Sequence, residues 1–81
     1  MRRHDDKYIE YLGNLVTLPE TYLLEIGCGS GFRTQQLSEA GACVLAIDDN
    51  PNAVRKARER ARENEFVLRR AVFANNSVFD L

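Results

Sequence analysis

Glu25, Gly27, Gly29 and Gly31 stand at alternate positions in the segment Leu23-Leu24-Glu25-Ile26-Gly27-Cys28-Gly29-Ser30-Gly31-Phe32. A short apolar strand that gives way at once to three glycines turns sharply and leaves its backbone bare. A ligand can then approach the turn to van der Waals distance. The N–H groups that open the following helix add unpaired donors and the positive end of a dipole. The segment reads as a nucleotide-type cradle. Asp48 follows a second apolar run, residues 42–47, and lies 21 residues after Gly27. That is about the separation that brings an acid to a bound ribose. A carboxylate there can accept from both vicinal hydroxyls of the sugar. Asp49 is the neighbouring candidate for the same role, and either acid could instead cap the next helix.

These residues need elements to hold them. Tyr8, Tyr11, Leu12, Leu15 and Val16 follow the spacing of an amphipathic helix, capped by Asp5 or Asp6 and stopped at Pro19. Tyr22–Ile26 reads as a strand that is apolar nearly throughout, which implies burial on both faces. A short helix over 34–40 follows the glycine turn, with Gly41 as its C-terminal cap. Residues 42–47 form the second strand, and Asn50-Pro51 supplies the cap and first-turn proline of a helix reaching about Asn64. Residues 66–73 read as a third strand, interrupted by Arg69 and Arg70, and 75–81 as loop. The alternation predicts an α/β fold: a three-layer, Rossmann-like parallel sheet of three strands with helices on both faces. In such sheets ligands bind beyond the carboxyl ends of the strands, where the glycine turn and Asp48 both lie.

Composition narrows the class. The chain has 81 residues, 44% hydrophobic and 28% charged, with a net charge of −1. It is one small domain, of a length that buries only about 60–65% of its unfolded surface. No global field draws it to nucleic acid or a membrane. Residues 55–70 nevertheless carry seven Arg or Lys against three Glu. The run Arg55, Lys56, Arg58, Arg60, Arg62 is read as a solvated helix face paired with Glu59 and Glu63, and contact with RNA phosphates is the competing reading. Cys28 and Cys43 read as small buried thiols rather than a disulfide framework or zinc site, consistent with a cytoplasmic protein. The first residues do not read as a signal peptide, and neither a membrane-length apolar run nor a metal constellation is expected. His4, Ser30 and Cys28 have no partner base or acid in sequence that would make a nucleophile or a proton carrier.

The glycine spacing separates ligand classes. A dinucleotide fingerprint G-x-G-x-x-G would place its third glycine at position 32, which is Phe. The pattern Glu25-x-Gly27-x-Gly29-x-Gly31 instead resembles the first motif of the class I S-adenosylmethionine-dependent methyltransferases. Ala46-Ile47-Asp48-Asp49-Asn50-Pro51 is similar to the second. The resemblance spans residues 22–81 and implies S-adenosyl-L-methionine as cofactor. It puts Glu25 near the amino-acid end of the cofactor, Gly27, Cys28, Gly29 and Gly31 in the turn around its methionine and ribose, and Asp48, with Asp49 beside it, at the ribose hydroxyls. The family's third motif has an acid that receives the adenine amino group. Phe79-Asp80-Leu81 resembles the segment just beyond that acid, which puts Asn76 or Ser77 in its place. An earlier end to the strand would put Arg70 there, which is chemically unsuited.

The family's sheet has seven strands, and its acceptor-binding and catalytic residues commonly follow the fourth. The chain therefore resembles the N-terminal half of a methyltransferase: a helix over residues 1–20 and a partial cofactor-binding domain over 21–81. The implied reaction is methyl transfer from the sulfonium to a nucleophile, with acceptor and catalytic residues unknown. Two other functions remain open, a nicotinamide-dependent oxidoreductase fragment and a non-catalytic fragment or interaction module on the same fold. An unpaired edge at the first strand would be a place for two copies to pair.

Overall fold

The computed structural model describes residues 4–77 and 79, and the side chains of all of these except 4–6 and 8. The expected cap at Asp5 or Asp6, the side chains of His4 and Tyr8, and Asp80 and Leu81 lie outside the described residues.

The elements run α1 (His4–Leu15), a single 3-10 turn (Leu18–Glu20), β1 (Tyr22–Ile26), α2 (Phe32–Glu39), β2 (Cys43–Asp48), α3 (Pro51–Arg62), α4 (Glu65–Arg70) and β3 (Ala71–Asn75). Local chemistry explains most of the boundaries. Pro19 ends the α1 region by entering the 3-10 turn. Gly41 terminates α2 with φ +99°, and a Cβ there would meet the Cα of Pro19 at 3.0 Å, so two chain breakers pack on each other. The Asn50 side chain accepts from the Asn52 N–H at 2.9 Å, and Pro51 opens α3.

The three strands pair in the order β1-β2-β3, all parallel. Tyr22 lies opposite Cys43, Ile26 opposite Ile47, and Asp48 opposite Asn75. The parallel α/β arrangement is as expected, but the helices lie against one face rather than two. Val44, Ala46 and Phe73 point into a core shared with Leu37 of α2, Val54, Ala57 and Ala61 of α3, and Val67 of α4. A right-handed crossover fixes the side on which a connecting helix packs. Two such crossovers running the same way along the sheet put both helices on the same side. The expected third layer is therefore missing among the described residues. The other face presents Tyr22 (86% exposed), Leu24 (51%) and Val72 (64%), with Ile26 and Leu45. Full burial of side chains such as Leu37, Val54 and Val67 stabilises the covered side by roughly 1.5–3 kcal/mol each.

Two further expectations change. Residues 66–73 do not form one strand, because a helix takes their first half. The Asn64 side chain accepts from the N–H groups of Phe66 (3.0 Å) and Val67 (3.4 Å) and so caps α4. Glu65 sits in its first turn and Arg69 and Arg70 in its last, the charge order that a helix dipole favours. The two arginines that sit awkwardly in a strand are at home there. On α1, Ile9 and Leu12 pack against the core, whereas Tyr11 and Leu15, with Val16 just past the helix end, are placed on the inner stripe by spacing and are exposed.

Both cysteines are free thiols, Cys28 buried and Cys43 half-buried. No helix of the described residues is long and apolar enough to cross a membrane. No cluster of His, Cys, Asp or Glu among them is arranged to hold a metal ion.

Candidate functional site

The glycine turn joins the end of β1 to the start of α2 by three left-handed residues. Gly27, Gly29 and Gly31 have φ values of +75°, +55° and +88°, where a side chain costs roughly 1–2 kcal/mol. The N–H groups of Gly27 and Cys28 both donate to the Ile47 carbonyl, at 2.8 and 3.0 Å, and Gly31 N–H donates to the Cys28 carbonyl at 3.1 Å. The alternate glycines differ in surroundings. A Cβ on Gly27 or Gly29 would meet nothing within 4 Å, so their backbone borders open space. A Cβ on Gly31 would meet the Ala57 Cβ at 3.2 Å. Gly31 therefore has a packing reason of its own: it lets α2 start against α3.

Asp48 ends β2 and ties two loops together. One carboxylate oxygen accepts from Gly29 N–H at 2.9 Å and the other from Asn50 N–H at 2.9 Å. These two backbone donors, Asn50 first, hold its pKa below the usual carboxylate value. The group stays ionised at neutral pH, and the two backbone donors take two of the roughly four lone-pair positions of its oxygens. Asp49 is exposed beside it.

Glu25 is turned toward α2, where the buried Thr34 hydroxyl donates to its Oε1. Burial raises its pKa, against the opposing effects of the Thr34 hydrogen bond and the Arg33 guanidinium. Cys28 lies buried in the turn. Burial first, then the Glu25 and Asp48 carboxylates, push its thiol up to about 11. It stays protonated at neutral pH and is no nucleophile.

A cleft of about 140 Å³ opens at the carboxyl ends of the strands, lined by Gly27, Asp48, Asp49, Asn76 and Ser77 with Ile26, Ile47 and Phe79. Five of the nine residues expected at the site thus meet in one concavity. Gly29 joins them through its hydrogen bond to Asp48. Glu25 lines a separate hollow with Leu12, Leu23, Arg33 and Leu37. Beyond β3, Asn76 N–H donates to the Asp48 carbonyl at 3.0 Å, and the Asn76 side-chain oxygen accepts from Ser77 N–H at 2.8 Å. Arg70 ends α4 rather than β3 and is not among the cleft residues.

Sequence reading missed three residues that shape this region. Thr34 holds Glu25. Arg60 Nε donates to the Ser30 carbonyl at 3.0 Å, and Arg58 Nη2 donates to the Phe73 carbonyl at 2.8 Å. The basic run is thus not a wholly solvated face. Only the threonine carried a local signal, as a polar residue in the first turn of the helix after an acid-bearing strand.

The chain matches a family model described as a methyltransferase domain over residues 23–81, well over half its length. It is 36% identical over 56 residues to a ubiquinone biosynthesis O-methyltransferase from Xanthomonas campestris pv. campestris, covering 69% of this chain and 23% of the relative. It is 38% identical over 65 residues to the 18S rRNA (guanine-N(7))-methyltransferase of Mus musculus, covering 76% of this chain and 23% of that one. Among solved structures, the magnesium protoporphyrin IX methyltransferase from Synechocystis PCC 6803 with bound S-adenosylmethionine superposes with a TM-score of 0.85 at 26% identity, over 95% of this chain and 37% of that chain. The chain thus spans about a quarter of the length of the curated relatives it matches. The glycine turn, the acid closing β2 and the parallel sheet beneath them fall within the matched region, and the chain belongs to the methyltransferase-domain family.

Proposed function

We propose that the rim formed by the first two strand-to-helix turns binds S-adenosyl-L-methionine, and that residues 21–81 are the cofactor-binding part of a methyltransferase, with residues 1–20 leading into it. One observation carries the reading. The Asp48 carboxylate, kept ionised by two backbone N–H groups, stands at the cleft beside left-handed glycines whose missing side chains leave open space. This acceptor suits a ribose diol, which presents two hydroxyl protons to one carboxylate. A solved neighbour that holds S-adenosylmethionine supports the same ligand class.

When bound, S-adenosylmethionine supplies a methyl group that its sulfonium has already activated. The protein's part is then orientation of two reactants. In this reading the backbone of Gly27 and Gly29 admits the close approach, Cys28 fills the turn from beneath, Gly31 seats it on α3, and Asp48, with Asp49 beside it, takes the hydroxyls. Glu25, held by Thr34 in a hollow apart from the cleft, is taken as the acid nearest the amino-acid end. Asn76 or Ser77 meets the adenine: Asn76 has one lone pair of its side-chain oxygen left after Ser77. The acceptor and the groups that place it are not assigned. β1 is an edge of the sheet among the described residues, and we take it as the strand through which two copies would pair. Sedimentation of the 81-residue chain tests this, since a monomer at all concentrations contradicts it.

Calorimetric titration with S-adenosylmethionine and, separately, with NAD tests the ligand. Tighter binding of NAD would overturn the assignment in favour of a nicotinamide enzyme. Transfer of labelled methyl from the cofactor by the 81-residue chain, alone or with added protein, would argue against a non-catalytic module.

A further inference from the structure

We propose that Arg60 is a positioning residue for the glycine turn, clamping it from α3 in the shape that receives the cofactor. The inference rests on the cofactor reading above and adds to it a residue outside both sequence motifs.

Arg60 lies 30 residues from the turn in sequence and touches it twice. Its Nε donates to the Ser30 carbonyl at 3.0 Å, and its guanidinium carbon stands 3.8 Å from the centroid of the Phe32 ring. The two contacts flank Gly31. One turn earlier on α3, Ala57 packs on Gly31 itself, so closely that an added Cβ would stand 3.2 Å from the Ala57 Cβ. A carbonyl fixed in direction also fixes the peptide plane that it shares with the next N–H. Arg60 therefore holds the Ser30–Gly31 peptide plane from its carbonyl side, while the Gly31 N–H on its other side is kept on the Cys28 carbonyl.

The turn is then held from two sides. Asp48 grips the Gly29 N–H from β2, and Arg60 grips the Ser30 carbonyl and the Phe32 ring from α3. Three glycines in a short turn have more freedom to lose than any other residues. A turn ordered before the ligand arrives loses less on binding, which appears as affinity. Arginine suits the task because one planar group donates a hydrogen bond and stacks on a ring at once. Loss of Arg60 removes a hydrogen bond and a cation–ring contact, together worth roughly a tenfold change in affinity.

The test compares the wild type, Arg60→Ala, Arg60→Lys, Phe32→Leu and Asp48→Ala in the full 81-residue chain. Calorimetric Kd values for S-adenosylmethionine are measured beside melting temperatures and amide exchange of Gly29 and Gly31 without ligand. Arg60→Ala is expected to weaken binding about tenfold and speed Gly31 exchange with little change in melting. Arg60→Lys, which keeps a cation over the ring, recovers part of the loss. Phe32→Leu combined with Arg60→Ala costs less than the sum of the two. A lower melting temperature with unchanged Kd and unchanged Gly31 exchange overturns the clamp and leaves Arg60 an ordinary packing residue. If Arg60→Ala does not fold, the Lys and Leu variants decide by the same readouts. Wild-type affinity in Arg60→Ala while Asp48→Ala binds weakly sinks the clamp alone. No binding by the wild type, or none lost in Asp48→Ala, sinks the cofactor reading, and Gly31 exchange then decides the clamp.

Discussion

The turn after β1 and the turn after β3 stand on the same rim and are built in different ways. The first is held by long-range partners: Ile47 and Asp48 from β2 and Arg60 from α3 all fasten its backbone. Among the described residues the second is tied in equal part to itself and to the end of β2, with Asn76 accepting from Ser77 N–H and Ser77 from Phe79 N–H at 3.2 Å. Its links to the rim are Asn76 N–H and Asn75 Nδ2, both on the Asp48 carbonyl at 3.0 Å. A turn fixed from several elements keeps its shape without a ligand. A turn whose only long-range anchor is one carbonyl among the described residues keeps more freedom to follow one. In the proposed reading the methionine and ribose end of the site is thus the preformed one, and the adenine end takes shape around what it meets.

The largest expected effect comes from breaking the first turn directly. Gly29→Val places a branched side chain at φ +55° and into the open space beside it. Strain of roughly 1–2 kcal/mol and the loss of close approach should abolish measurable binding of S-adenosylmethionine by calorimetry. Undiminished affinity would mean that the turn does not border the ligand. Next in size is Asp48→Ala, expected to weaken binding by about 1.5–3 kcal/mol. A Kd equal to the wild type's would leave Asp48 as a loop tie only.

Asp48 and Glu25 should respond to pH with opposite sign. Asp48 has a depressed folded pKa, so its contribution to stability is present above the unfolded value of 3.8 and is lost as pH falls toward the folded one. Glu25 has a raised folded pKa. The folded state then holds its proton more tightly, and stability declines as pH rises from 4.5 through the folded value. Urea unfolding from pH 3 to 7 should show a steeper acid-side loss in the wild type than in Asp48→Asn. Glu25→Gln should flatten the decline above pH 4.5, and parallel curves for all three proteins would contradict the assignment. The smallest effect belongs to the third turn. Asn76→Ala should change cofactor affinity by no more than about 0.5–1.5 kcal/mol, read in the same titration. A loss as large as that of Asp48→Ala would mean that the adenine end is as preformed as the ribose end.

Much of the rim was legible because its signals are local. The glycine alternation, Asp48 at a strand end and Asn50-Pro51 before a helix each act within a few residues, and each sits where its chemistry requires. The α4 helix was hidden because Phe66-Val67-Leu68 outweighed the Asn64 cap and the terminal arginines in an apolar-run reading. The one-sided covering of the sheet could not be read at all, since strand order is set by tertiary pairing and not by alternation. Arg58 and Arg60 looked like a solvated stripe for the same reason. Only the packing of α3 under the glycine turn brings them to the Phe73 and Ser30 carbonyls. Gly31 was read as ligand-facing, and its neighbour in the fold is Ala57.

In the proposed reading Asp48 and the glycine turn together hold the donor cofactor. A calorimetric titration of the 81-residue chain and its Asp48→Ala variant with S-adenosylmethionine, with NAD as comparison, tests it most directly. The expected result is one site for S-adenosylmethionine, weaker binding of NAD, and a loss in the variant of about 1.5–3 kcal/mol. Equal or tighter binding of NAD, or identical isotherms for wild type and variant, would contradict it.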